Sequence, residues 1–503
     1  MDKNRVVLFY PSPSKNAVNL IPLNLMAIAR MLDPEFYKVE IVNATVEKNY
    51  ISRILNKAGK GDLLCLGVTC MTGYQIHDAL KVAKKVKRCF PHIPIVWGGY
   101  HPTILSIETI RESVVDIVVK GQGELTFREL IERLSNNLPF EDVPGIVYKT
   151  KDRRVRENVD RPMVDLNRFP PLPWNLIDGD RYKRFDPRWK VTMDYYTSQG
   201  CPFSCKFCAE PMFCKHRWVS LNAERVVKEI KMLKKEFNVD AITIRDSNFF
   251  VNKRRVKKIC EGLIREKVVI KLIGVNARID TFLSYEDKMW DLLYSAGFRE
   301  LTIGVESGDQ TVLDMLDKKI TIRDIFLFFE KTTHYNLKIW VSLMAGLPGR
   351  DTKEEFGATL NLIDGLMRKS YQAISEVHIF KYTPYPGSAL YDIAKEYGFI
   401  PPRSIEGWNS MGFFHKRTFG MDKNYSRYVN YLTFCILPRL INPYKYKNSM
   451  VRLMFKKLID PIFRWRWQNR CFDFFVERYL IDMLNYIGAL KDKLMRKKLM
   501  HKK

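Results

Sequence analysis

The chain has 503 residues, enough for two to four domains that each bury a core. Apolar residues make up 46% and charged residues 28%, which excludes a disordered chain. The formal net charge of +27 calls for a partner bearing negative charge: an anionic membrane surface, nucleic acid or an acidic substrate.

Met1 to Arg5 lead straight into a strand at 6–10, with no signal-peptide pattern. An apolar helical run at 20–32 follows, then strands at 38–42 and 63–68, a helix at 74–88, and strands at 93–97 and 116–119. Strands alternating with helices predict a flavodoxin-like (Rossmann-like) α/β domain over 1–140, its parallel sheet covered on both faces. Three turns follow strand ends, where such folds bind ligands: Thr69-Cys70-Met71-Thr72-Gly73, Gly98-Gly99-Tyr100-His101-Pro102-Thr103 and Lys120-Gly121-Gln122-Gly123-Glu124. Glycines there let backbone approach a bulky flat ligand. These turns resemble the cobalamin-binding domain that precedes many radical S-adenosylmethionine (SAM) domains. The resemblance implies cobalamin, with Thr72, Gly98, Gly99, His101, Gly121, Gly123 and Glu124 around it. The D-x-H-x-x-G loop, whose histidine ligates cobalt in the best-known cobalamin modules, is absent, and His101 reads as a loop residue rather than a cobalt ligand. A flavodoxin-like domain with another ligand is the alternative.

Residues 141–187 hold six prolines among many charges and read as a linker poor in regular structure. A strand at 191–198 then runs into Gly200-Cys201-Pro202-Phe203-Ser204-Cys205-Lys206-Phe207-Cys208. Zinc sites take four protein ligands, or three and an open position, usually with C-x2-C pairs from separate loops. An iron–sulfur cube takes thiolates spread around one compact loop, and three of them leave one iron open for a second ligand. The C-x3-C-x2-C spacing, with Phe207 before the last cysteine, resembles the radical SAM superfamily. That implies a [4Fe–4S] cluster on Cys201, Cys205 and Cys208, whose open iron chelates SAM and reduces it to a 5′-deoxyadenosyl radical. The other seven cysteines lack paired spacing, and with a labile cluster they fit a reducing compartment, the cytoplasm. Cys214 reads as a structural cysteine or an auxiliary thiol.

Asn222 can cap a helix with apolar positions at 226, 227, 230, 233 and 237, and Ser284 with Asp287 has the form of a capping box for a later one. Further strands at 241–244, 271–275, 301–305, 339–343 and 376–382 complete six strand–helix repeats over 188–391, a partial (β/α)6 TIM-type barrel. The polar and glycine-rich clusters all fall at strand C-termini, the face where such barrels do chemistry. Their order resembles the radical SAM pattern. By that resemblance Glu306 and Ser307 hold the ribose and amino-acid parts of SAM, Gly346 to Pro348 border the adenine, and Asp246 and Asn248 stand near the methionine amine. Phe207 flanks the cofactor, and Arg278 pairs with the SAM carboxylate or with a neighbouring Asp. Tyr382 and Tyr385 read as packing, substrate wall or radical relay. No catalytic residue is assigned.

Residues 392–503 read as a basic, mainly helical region. From Met421 onward nineteen Lys/Arg face six Asp/Glu, a net +13 that is nearly half of the chain's excess. Basic and aromatic residues interleave at 450–459 and 462–467, which fits a peripheral contact with the inner face of an anionic membrane. A helical cap on the barrel is the second reading. Nucleic-acid binding is the third, without a recognisable module to support it. The whole implies a cobalamin-dependent radical SAM enzyme methylating an unactivated carbon of a small-molecule, lipid or isoprenoid-type substrate, reduced by a donor such as ferredoxin or flavodoxin. Ring formation, rearrangement or carbon coupling shares the same motifs, and a non-catalytic cobalamin- or lipid-binding protein is the remaining alternative.

Overall fold

The computed structural model describes residues 4–14, 17, 19–349, 352–411, 419, 421–441 and 460–472. The opening apolar stretch forms β1 (Arg5–Tyr10), followed by β2 (Lys38–Asn43), β3 (Leu63–Thr69), β4 (Ile95–Gly98) and β5 (Ile117–Val119). These pair in parallel in the order β2-β1-β3-β4-β5. Val6 and Leu8 of β1 pack into one core while Val7 and Phe9 pack into another, so both faces of the sheet are covered. The order reverses between β1 and β3, and ligands of such sheets sit at the strand C-termini beside that reversal.

The proline-rich stretch departs from expectation. It adds β6 (Ile146–Lys149) and β7 (Val155–Glu157), both antiparallel, beyond β5. They satisfy the hydrogen-bonding edge that β5 would otherwise present to water. β8 (Arg184–Asp186) then pairs antiparallel with β9 (Lys190–Tyr195).

The strand expected at 191–198 is broken. β9 stops at Tyr195, and β10 (Ser198–Gly200) pairs antiparallel with β11 (Trp218–Ser220), so the cysteines ride on the excursion of a small hairpin. The barrel continues through β12 (Ala241–Ile244), β13 (Lys271–Ile273), β14 (Val275–Ala277), β15 (Glu300–Glu306), β16 (Lys338–Ala345) and β17 (Ile374–Lys381). β13 and β14 are one expected strand interrupted at Gly274, whose φ is +58°. Parallel pairing runs β9-β12-β13 and β14-β15-β16-β17, an open barrel in two sections. Asn222 caps its helix as expected, accepting from Arg225 N. Ser284 does not cap: its hydroxyl donates to Thr281 O, and the next helix, Asp287–Ser295, follows Glu286.

One apolar core runs from the β1 face of the first sheet through the barrel to Tyr431, Phe463 and Trp467 of the C-terminal region. There, Lys423–Tyr431 and Leu437–Ile441 lie along β17, and Trp467 Nε1 donates to Asp364 at 3.1 Å. The described part of the tail is thus a packed cap. The basic–aromatic run at 450–459 lies outside the described residues; the run at 462–467 buries Phe463 and Trp467 and exposes Ile462 and Trp465.

Candidate active site

Each barrel strand delivers its polar cluster to one face, and hydrogen bonds tie those clusters to the cysteine loop. Arg278, just beyond β14, donates to Cys205 Sγ at 3.1 Å and to Lys318 O at 2.9 Å, and its guanidinium lies 4.1 Å from the Phe203 ring centre. Its anionic partner is Asp280, at 2.7 Å. Lys318, which the sequence did not single out, is buried, pairs with Glu306 at 3.0 Å and lies over the Phe207 ring. Glu306 ends β15 with φ +69° at a break in register, and its carboxylate folds back over Gly304, where a side chain would lie 2.0 Å from Oε1. A non-glycine residue held there is a strained point of the kind that collects at ligand sites. Ser307 is buried, and its Oγ accepts from Asp309 N at 3.1 Å. Gly346 turns with φ +77° against Met421, and Pro348 is buried beside it.

Asp246 is placed differently from an amine ligand. Its carboxylate is buried and accepts from Thr197 N at 2.5 Å, Thr197 Oγ1 at 2.6 Å and Ser198 Oγ at 2.6 Å. Burial pushes its pKa up against the opposing charge of Arg255. The geometry makes it a brace between β10 and the end of β12. Asn248 likewise spends its side chain on Phe250 N, at 3.1 Å. Tyr382 is buried in a small apolar cluster against which Phe207 packs.

The first domain meets this face across a cavity of about 310 Å³. Its wall includes Gly98, Gly99, Gly121, Gly123 and Glu124 from the first domain, with Ser198, Glu210 and Ser247 from the barrel side. Gly121 has φ +65° and open space where a side chain would stand. At Gly99, with φ +100°, a side chain would meet Cys70 O at 2.9 Å. Glu124 is buried against Arg30 at 3.1 Å and accepts from Gln199 Nε2 at 3.0 Å, which joins the second glycine turn to β10. Thr72 and His101 are not part of this wall. They bond each other at 3.1 Å behind it, and His101 faces Trp408. His101 lies in the short helix Tyr100–Ile104 rather than a loop, and burial drives its pKa down to about 4.

Residues 15–131 match the B12 binding domain family, and residues 195–363 match the radical SAM superfamily. The chain is a B12-binding radical SAM enzyme. Among its relatives, the uncharacterized methyltransferase PH0819 of Pyrococcus horikoshii is 29% identical over 78% of this chain and 83% of its own length. The anaerobic magnesium-protoporphyrin IX monomethyl ester cyclase of Synechocystis sp. is 26% identical over 75% of this chain and 73% of that one. The cobalamin-dependent SAM radical enzyme OxsB, solved with aqua-cobalamin and SAM bound, shares the fold. Its TM-score is 0.73 at 17% identity, over 97% of this chain and 75% of that one.

The donor sets fit a [4Fe–4S] cluster, SAM and cobalamin. Among the described residues no three His, Cys, Asp or Glu side chains close on one point as the ligands of a single ion do. The three thiols follow one another along one compact loop, and a cube takes one thiolate at each of three irons. Burial pushes the free Cys208 thiol up to about 12, so cluster assembly in this radical SAM enzyme must release protons. Cys214 is buried, and its Sγ donates to Cys201 O at 3.4 Å, a bracing role for the loop.

Two features escaped the sequence reading. Lys318 lies between two left-handed residues, Asp317 and Lys319, and only that Asp-Lys-Lys turn hinted at it. Inside the barrel, Trp340 stacks on His378 at 4.6 Å with 22° between planes, and Phe380 follows at 5.9 Å. These residues alternate with Val341, Val377 and Ile379, which bury outward against the helices, so they share the inner face.

Proposed function

We propose that the enzyme methylates an unactivated carbon of a small, largely apolar molecule. Bound together, the reduced cluster with SAM supplies a 5′-deoxyadenosyl radical, and methylcobalamin supplies a methyl group. The observation that carries the reading is a cavity whose opposite walls are the double-glycine turns and the cysteine hairpin. The glycine turns and the hairpin that carries the cysteine loop thus face one another across it. The chain's own part is orientation and exclusion of water. Glu306, Ser307 and Gly346 would hold SAM, and Arg278 would fix the cluster loop.

The exposed Ile462 and Trp465, beside Arg464 on a basic tail, support a lipid or isoprenoid substrate collected from an anionic membrane, with ferredoxin or flavodoxin as electron donor. The anaerobic assay is direct: reconstitute the cluster, add SAM, cobalamin and dithionite, and measure 5′-deoxyadenosine and S-adenosylhomocysteine. Both products support methyl transfer. The likeness to the cyclase of Synechocystis favours a second reading, ring formation by the same radical, which predicts deoxyadenosine alone and a product without the mass of an added methylene. A full cluster that yields neither product overturns both readings.

A further inference from the structure

Glu210 stands two residues beyond Cys208, opens the helix Glu210–Cys214 and is 7% exposed. No lysine or arginine pairs with it among the described residues. Its carboxylate instead accepts two hydroxyls from different domains. Tyr100 OH donates to one oxygen, and Ser247 Oγ donates to the other at 2.8 Å. Tyr100 directly follows Gly98-Gly99 in the first domain, and its ring stacks on Phe213 of the same helix at 4.2 Å and 20°. Ser247 follows the brace residue Asp246 beyond β12. The backbone N–H of Glu210 donates to Cys208 Sγ at 3.4 Å. Tyr100, Glu210, Phe213 and Ser247 all line the cavity between the domains.

We propose that Glu210 is a positioning residue that couples the two cofactor sites, making the cobalamin turn and the cluster loop respond to one another. A buried carboxylate without a cation is costly unless its lone pairs are filled, so the two hydroxyls are held to it strongly. Displacing the first domain, the hairpin or the β12 turn breaks one of these bonds. Tyr100 is at once a wall of the cavity and one end of this strut. A ligand filling the cavity therefore contacts the strut directly, which is what a differential effect requires. At the other end, donors to cluster thiolates favour the more negative reduced cluster and so set its potential. By linkage, whatever cobalamin does to the cluster potential, reduction of the cluster does to cobalamin affinity.

The inference rests on both cofactors being bound and not on methyl transfer. The test is a redox titration of the reconstituted full-length protein, followed by the electron paramagnetic resonance of the reduced cluster, with and without hydroxocobalamin. Cobalamin should raise the wild-type midpoint; a tenfold difference in affinity between oxidised and reduced protein corresponds to about 59 mV for one electron. Tyr100→Phe keeps the ring stack and loses the hydroxyl, and Ser247→Ala acts from the other domain. Each should cut the shift to less than half while iron and cobalamin contents stay full. Glu210→Gln keeps an acceptor and a donor for the two hydroxyls and should retain most of the shift. Glu210→Ala should abolish it and lower the midpoint even without cobalamin, because the N–H to Cys208 slackens. If either hydroxyl variant fails to fold, shown by lost iron, the other one decides. A wild-type protein without a shift, or fully loaded hydroxyl variants with the wild-type shift, overturns the coupling. Failure of the wild type to bind cobalamin at all would overturn the cofactor reading beneath it.

Discussion

Arg278 is held on three sides: by the Asp280 carboxylate, by Lys318 O and by the Phe203 ring, with Cys205 Sγ at its tip. A planar fork makes these contacts at once and an ammonium does not. Arg278→Lys should therefore load a cluster that is lost faster. One charge-assisted hydrogen bond is worth about 1.5–3 kcal/mol, so iron release to a chelator should quicken roughly tenfold or more. Unchanged release would make the arginine a bystander. Arg278 also shows what a sequence withholds: its two candidate partners, a cofactor carboxylate and a local Asp, differ only in geometry, and the geometry places Asp280 in its grip. Asp194 makes a second case. Burial pulls its pKa upward, but Arg184 and Arg245, at 2.5 and 2.9 Å, outweigh it and hold the carboxyl below the ordinary range. A carboxyl depressed in the folded state stabilises fully above its unfolded value near 3.8, and that stability is lost as pH falls through the lower folded value. Asp194→Asn should cost roughly 1–3 kcal/mol at neutral pH, since two cations then face a neutral amide. It should also flatten the acid limb of thermal stability below about pH 4, as followed by melting temperature against pH. A mutant with the wild-type acid limb would remove Asp194 from that account.

At the scale of elements, legibility follows the length of the contact. The parallel sheet, the barrel repeats and the cysteine loop announce themselves because each is written within one short span, by alternation, periodicity or spacing. The glycine turns did so too, and five of the seven first-domain residues expected around cobalamin line the cavity. The strut did not: Tyr100 and Glu210 are 110 positions apart, and nothing in either neighbourhood names the other. Thr72 and His101 belong to the same turns, yet they bond each other and take no part in the cavity wall. The β13–β14 break, the β10–β11 hairpin and the paired strands of the proline-rich stretch were hidden for the same reason, since edges are set by neighbours that local sequence does not mention. Gly99 offers the test at this scale. With φ +100° and Cys70 O 2.9 Å from a would-be side chain, Gly99→Ala forces strain of about 1–3 kcal/mol into the turn. Cobalamin retained after desalting should fall roughly tenfold or more in affinity while cluster iron is unchanged. Equal loss of both cofactors would mean general unfolding instead.

Over the whole molecule the charge of +27 is unevenly spread, and nearly half of it lies beyond Met421. The described part of that region buries Phe463, Trp467 and Phe472 in the core and leaves Phe434 exposed. Ile462 and Trp465 remain exposed next to Arg464. No helix among the described residues is long and apolar enough to cross a membrane. Two forces then act at different ranges. Attraction of the tail's basic residues to anionic headgroups would be screened within a Debye length, about 10 Å at 0.1 M salt and 3 Å at 1 M. Partition of the apolar side chains is insensitive to salt. Sedimentation with vesicles containing phosphatidylserine should therefore be strong at low salt and fall steeply as salt rises, leaving a residue that Trp465→Ser removes. Vesicles of phosphatidylcholine alone should carry down little protein. Equal sedimentation with both compositions, or none with either, would assign the basic tail to solvent or to another anionic partner, and the substrate would then have to reach the cavity from solution.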